Sequence, residues 1–245
     1  MKKLLAIYFI ILSQGVFSQK LEDCSLCDQK SYSTSDLTNN QLYEIQLLRN
    51  EIFARHHYQF QNQRLDEHFS RFDWYTPGAA TFSADNLNLH EKHNVELFKE
   101  RETEIKAQRK QLENELRKFQ SAIKNNDAAY LKTVLSDPAQ YDGALSILKD
   151  VFSGLDVSNL SWFKGQSLYS VTVDNGDYIS ERKMYIMGKK LSFSVSVPMA
   201  HSSVMDGEEA FEYPSEYYSE GESTQVVELI FSNNKLRFLR VVVAG

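Results

Sequence analysis

A chain of 245 residues, 42% of them hydrophobic, is long enough for one large or two small domains and can bury a proper core, which excludes an intrinsically disordered protein. Its 33 acidic residues outnumber 27 basic ones, for a formal net charge of −6. Lys and Arg do not gather near aromatics outside one long helical stretch, so nucleic acid is excluded as a partner.

The N-terminus has the layout of a secretory signal peptide. Met1-Lys2-Lys3 is a short positive region, Leu4 to Leu12 is apolar, and Val16 and Ser18 supply acceptable residues before a cleavage near Ser18-Gln19. No other stretch approaches the roughly 18 apolar residues that a membrane helix needs, so no transmembrane anchor is expected. Leu21-Glu22-Asp23 before Cys24 is not a lipobox, so free export to the periplasm or medium is the expectation. Cys24 and Cys27 are the only cysteines. In an oxidising compartment their Cys-Ser-Leu-Cys spacing reads first as a local disulfide, with a zinc half-site or a redox pair as the alternatives.

From Asp28 to Asn40 the chain is polar, and Asp36 or Thr38 is placed to cap a helix. Leu42, Ile45, Leu48, Ile52, Phe53 and His56 recur at three-to-four spacing, which predicts an amphipathic helix to about His56. A second short helix is marked by Leu65, His68 and Phe69, followed by Phe72, Trp74 and Tyr75 before the stop at Pro77-Gly78.

This stretch resembles the YARHG domain. The motif stands as Phe53-Ala54-Arg55-His56-His57, preceded by Leu48-Arg49-Asn50-Glu51-Ile52 and trailed by Trp74-Tyr75 and Glu91-Lys92-His93-Asn94. Tyr is replaced by Phe53 and the closing Gly by His57. The resemblance implies a small exported bacterial module with no established activity. In that family the closing Gly supplies the left-handed residue that ends the helix; His57 carries a Cβ, so either the chain leaves the helix differently or a contact holds His57.

From His90 to about Asn125 there is no Pro or Gly, and Lys, Glu, Arg and Gln dominate, which predicts one long helix. Phe98, Ile105, Leu112 and Phe119 fall seven apart, the stripe through which a coiled-coil dimer would form, although Arg101, Gln108 and Glu115 break the companion positions. Two short helices follow, and then about five strands, with turns at Asn175-Gly176, Gly188-Lys189 and Asn233-Asn234. Helices followed by antiparallel strands predict an α+β fold. Its expected parts are a signal peptide (1–18), a Cys-containing segment (19–35), a helical module (36–96), a connecting helix (97–125) and a C-terminal α+β domain (126–245). The acidic, tyrosine-bearing stretch Met205 to Glu222 is expected to be a long loop.

Candidate binding residues are Arg49, Asn50, Glu51, Arg55, His56, Trp74 and Tyr75. Glu51 and Arg55 form an i, i+4 pair. One reading has Arg55 and Asn50 bridging carbonyls of the Trp74-Tyr75 segment. The other has Arg55 gripping a carboxylate or phosphate while the aromatics stack on sugar or peptide. His90 and His93, with His56 or Glu91, are the ingredients of a zinc site, yet the spacing is not His-Glu-x-x-His, and no metal site is expected. No nucleophile elbow, phosphate loop or nucleotide fingerprint appears, so no catalytic residue and no cofactor is expected. The expected function is a non-enzymatic binding or scaffold module for a cell-envelope polymer or envelope protein. The alternatives are a hydrolase built on Arg55, His56 and Glu51, and a structural dimer through the long helix.

Overall fold

A computed structural model describes residues 20–78, 83–174, 178–200 and 223–244. The signal-peptide residues, the Asn175-Gly176 turn and the acidic stretch 205–222 lie outside the described residues. The elements run α1 (Leu42–Arg55), α2 (Gln63–Phe69), α3 (Leu89–Lys124), α4 (Ala128–Val134), α5 (Tyr141–Gly154), β1 (Gln166–Asp174), β2 (Tyr178–Met187), β3 (Lys190–Ala200), β4 (Ser223–Ser232) and β5 (Lys235–Ala244). This is the α+β arrangement expected. The chain divides into two compact units, and the boundary between Arg101 and Glu102 falls inside α3. None of the described helices is long and apolar enough to cross a membrane.

In the N-terminal unit the apolar positions of α1 behave as their spacing requires, with Ile45, Leu48 and Ile52 buried. The helix ends in a Schellman motif. His57 N–H donates to Ala54 O at 2.9 Å and Tyr58 N–H to Phe53 O at 3.1 Å, the 5→2 and 6→1 bonds that satisfy the last carbonyls. His57 sits at φ 60°, so it takes the left-handed position that glycine holds in the family. The Phe53 and Tyr58 rings meet at 6.5 Å, which is the apolar contact that accompanies this motif. Of the two exits left open by the sequence, the chain uses the one in which His57 is held by contacts. Its Nδ1 lies 2.9 Å from Thr76 O and its own carbonyl accepts Gly78 N–H at 2.8 Å. A carbonyl only accepts, so Nδ1 carries the proton.

α3 begins with a capping box. Asn88 Oδ1 accepts Glu91 N–H at 3.0 Å, and Glu91 Oε2 accepts Asn88 N–H at 2.8 Å. Its C-terminus repeats the Schellman pattern with Asn126 at φ 53° and Asp127 N–H on Ala122 O at 2.9 Å. Asp127 then caps α4 through Tyr130 N–H.

The C-terminal unit is a five-stranded antiparallel meander in the order β1-β2-β3-β4-β5. Two-residue turns at Gly188-Lys189 and Asn233-Asn234 join strands whose end residues pair directly, Met187 with Lys190 and Ser232 with Lys235. Gly188, Asn233 and Asn234 all have positive φ, as turns of this hand demand. Alternate residues point inward: Met184 and Ile186, then Leu191, Phe193 and Val195, then Val227, Leu229 and Phe231. They pack against α4, α5 and the later turns of α3. Leu112, Leu116, Phe119 and Ile123 of the seven-residue stripe are thereby buried in the chain's own core, on the surface that a coiled-coil partner would use.

Candidate functional site

The motif residues of α1 come together with the N-terminal disulfide and the start of α3 around a cleft of about 400 Å³. Its lining includes Cys24, Cys27, Ile52, Arg55, His56 and Glu91, with Asp28 and Asn86 at the polar side. Cys24 and Cys27 are joined, with Cα atoms 5.0 Å apart, and both are fully buried.

Glu51 and Arg55 are one helical turn apart, so Arg55 Nε donates to Glu51 Oε1 at 3.0 Å, with Nη2 on the same oxygen. Burial pushes the Glu51 carboxyl above its ordinary range, an effect that Arg55 and the Cys24 backbone only partly offset. The guanidinium of Arg55 lies 4.5 Å from the centre of the Trp74 ring. His56, one residue on, turns to the other side of the helix end, where its Nε2 lies 2.7 Å from Glu91 Oε1. Glu91 therefore caps α3 with one oxygen and ties the end of α1 with the other.

The Glu-x-x-Asn element has a second half that sequence reading left without a role. Asn94 is fully buried. Its Oδ1 accepts Tyr32 N–H at 2.8 Å, and its Nδ2 donates to Lys30 O at 2.8 Å and Cys27 O at 3.1 Å. Asn94 thus ties the disulfide loop to α3 by its backbone, and an apolar residue in its place would strand buried polar groups.

Of the seven candidate residues, Arg55 and His56 line the cleft, and Glu51 stands behind Arg55. Asn50 does not reach the Trp74-Tyr75 segment; its Nδ2 turns back along α1 to Gln46 O at 2.6 Å. Arg49 is half-buried and does not line the cleft. Trp74 meets Arg55 through its ring and not through its carbonyl, and it stacks on Phe72 at 5.3 Å. Tyr75 belongs to an aromatic mini-core with Phe60 and Phe69, and its hydroxyl donates to Tyr58 O at 2.9 Å. Phe60, Phe69 and Tyr75 are buried in the fold, whereas Phe72 and Trp74 remain exposed. Within the trio Arg55, His56 and Glu51, Arg55 pairs with Glu51 and His56 reaches Glu91.

The other histidines among the described residues have structural partners. His93 Nε2 donates to Tyr32 O at 2.9 Å, His90 Nδ1 lies 2.9 Å from Ser31 Oγ, and His68 meets the Phe69 and Phe72 rings edge-on. Among the described residues no group of three His, Cys, Asp or Glu side chains is arranged to hold a metal ion.

Residues 22–103 match the family model of the YARHG domain. This part of the chain is a YARHG domain. The match takes in the disulfide loop as well as the motif helix and the Glu91-to-Asn94 element, and in this chain the hydrogen bonds of Asn94 join the loop to α3. Searches of curated proteins and of solved structures gave no match.

Sequence reading weighed Glu91 only as a zinc ligand and gave Asn88 and Asn94 no part in the site. The Asn88-x-x-Glu91 spacing is itself a capping-box signal, and it marks the carboxylate whose second oxygen reaches the cleft. Asp28 and Asn86 carried no such signal.

Proposed function

We propose that this is an exported protein whose YARHG domain is a non-enzymatic binding module for a cell-envelope ligand such as peptidoglycan. The observation that carries this reading is the cleft at the end of α1, where the motif residues Arg55 and His56 meet Glu91 and the disulfide loop. Its volume of about 400 Å³ falls in the range of small-ligand sites. Export is supported by the signal-peptide layout of the first 18 residues and by the association of the domain with exported proteins. A binding role is favoured over a hydrolytic one because the charged side chains are engaged with each other in pairs: Glu51 with Arg55, and Glu91 with both His56 and the helix cap.

The test is co-sedimentation of the processed chain with purified peptidoglycan sacculi. Retention that falls on substitution of Asn86, an exposed residue of the cleft rim, is the expected result. A chain that stays entirely in the supernatant would remove the envelope polymer from the account.

A further inference from the structure

We infer that the group this cleft takes from its ligand is a primary ammonium flanked by a carbonyl or hydroxyl, and not a carboxylate or phosphate; the inference rests on the binding reading above and names the chemistry of the same site. The charge balance decides the sign. Asp28 and Glu91 line the cleft with Arg55 and His56; Arg55 is already paired with Glu51 and His56 with Glu91, so among the described residues of the lining the charge left without an opposite partner is the Asp28 carboxylate. A second anion would enter against that excess in a partly desolvated site, where charges act more strongly than in water. The Nε and Nη2 groups of Arg55 are both spent on Glu51 Oε1, and with them one of the forks through which arginine grips an anion at two points.

The groups left over have a definite pattern. Among the described residues the Asp28 carboxylate, the Arg55 Nη1 and the Asn86 amide have no hydrogen-bond partner, and Asp28, Arg55 and Asn86 are all cleft-lining residues. Asp28 accepts only, Arg55 Nη1 donates only, and Asn86 does both. An ammonium offers its three N–H groups to Asp28 and to the remaining lone pairs of Glu91. A neighbouring carbonyl or hydroxyl accepts from Arg55 Nη1 and Asn86. Ile52 and the Cys24–Cys27 bridge provide an apolar wall for the carbon that joins the two groups. The chemistry is that of an amino-acid amide, and it occurs both in small soluble amines and at the free amino groups of a cross-linking peptide in a wall polymer.

The experiment titrates the processed full chain with glycinamide, acetate and inorganic phosphate at constant ionic strength, and separately sediments it with native and amine-acetylated sacculi. Glycinamide is expected to bind at least tenfold more tightly than either anion. Asp28→Asn, a change at an exposed position, is expected to weaken glycinamide at least tenfold without moving the melting temperature. Acetate or phosphate binding as tightly as glycinamide, or Asp28→Asn without effect, would overturn the inference. Loss of retention on acetylation supports it for the polymer source. Equal retention on both kinds of sacculi overturns it and leaves the envelope reading intact. Glycinamide binding without retention on sacculi supports the ammonium site, assigns it to a soluble amine and takes down the envelope reading. Binding to no probe and no retention overturns both.

Discussion

His57 offers the sharpest test of how the motif helix ends, because two opposing effects act on one residue. It holds the left-handed position of the Schellman motif at φ 60°, and its Nδ1 donates to Thr76 O at 2.9 Å. A residue with a Cβ pays about 1–2 kcal/mol in that conformation. Glycine avoids this cost but gives back about 0.5–1 kcal/mol through its greater freedom in the unfolded chain. Gly is therefore favoured over Ala here by about 0.5–1 kcal/mol. The exposed hydrogen bond to Thr76 contributes about 0.5–1 kcal/mol and is lost in both variants. His57→Gly is expected to match the parent within about 0.5 kcal/mol, whereas His57→Ala is expected to lose about 0.5–1 kcal/mol. The assay is urea unfolding followed by Trp74 fluorescence, with Trp162→Phe in every chain so that Trp74 alone reports. With an m value of about 2 kcal/mol/M, the Gly and Ala midpoints should lie about 0.25–0.5 M apart. An Ala variant as stable as the Gly variant would refute the left-handed assignment.

Other expectations concern the same framework and the sheet. Asn94→Ala should destabilise the YARHG domain by about 2–4 kcal/mol, since it removes three hydrogen bonds and leaves buried backbone groups unpaired; protease resistance or Trp74 fluorescence on denaturation would measure it. Reducing the Cys24–Cys27 bridge should lower stability by about 2 kcal/mol, the loop-closure value for so short a ring, read as the midpoint shift in the presence of a dithiol. Hydrogen bonds from Arg240 and Lys190 hold the Glu228 carboxyl below its ordinary range. A carboxyl lowered in the folded state contributes stability above its unfolded pKa and loses it as pH falls through the folded one. Glu228→Gln should accordingly cost about 1 kcal/mol at pH 7, discounted for the exposure of both cations, and about nothing at pH 3. In the C-terminal core, Phe193→Ala should cost about 3–5 kcal/mol, because Phe193 is fully buried among Phe119 and Phe152.

The parts of the fold that were legible in the sequence are those set by local rules. α1 followed from the spacing of Ile45, Leu48 and Ile52, and the meander from alternation and from Gly188 and Asn233-Asn234 in two-residue turns. What remained hidden depends on partners far along the chain. His56 meets Glu91 across 35 residues, and Asn94 meets Tyr32 and Cys27 across 62 and 67. No spacing rule announces such contacts. The seven-residue stripe of α3 was equally plain, but a period says only that a face is apolar. It does not say that the C-terminal core of the same chain, with Phe193 of β3 against Phe119, will take in the later half of that face. At the candidate site, the identities of Arg55 and His56 were legible, while the direction in which each points was set by Glu51 and Glu91.

The most direct test of the binding account is a backbone and side-chain NMR map of the labelled, processed chain during titration with solubilised peptidoglycan fragments. The account predicts that the largest shifts fall on Asp28, Arg55 and Asn86 around the cleft, with His56 and Glu91 beside them. Shifts confined to the C-terminal sheet, or none at saturating fragment, would contradict it.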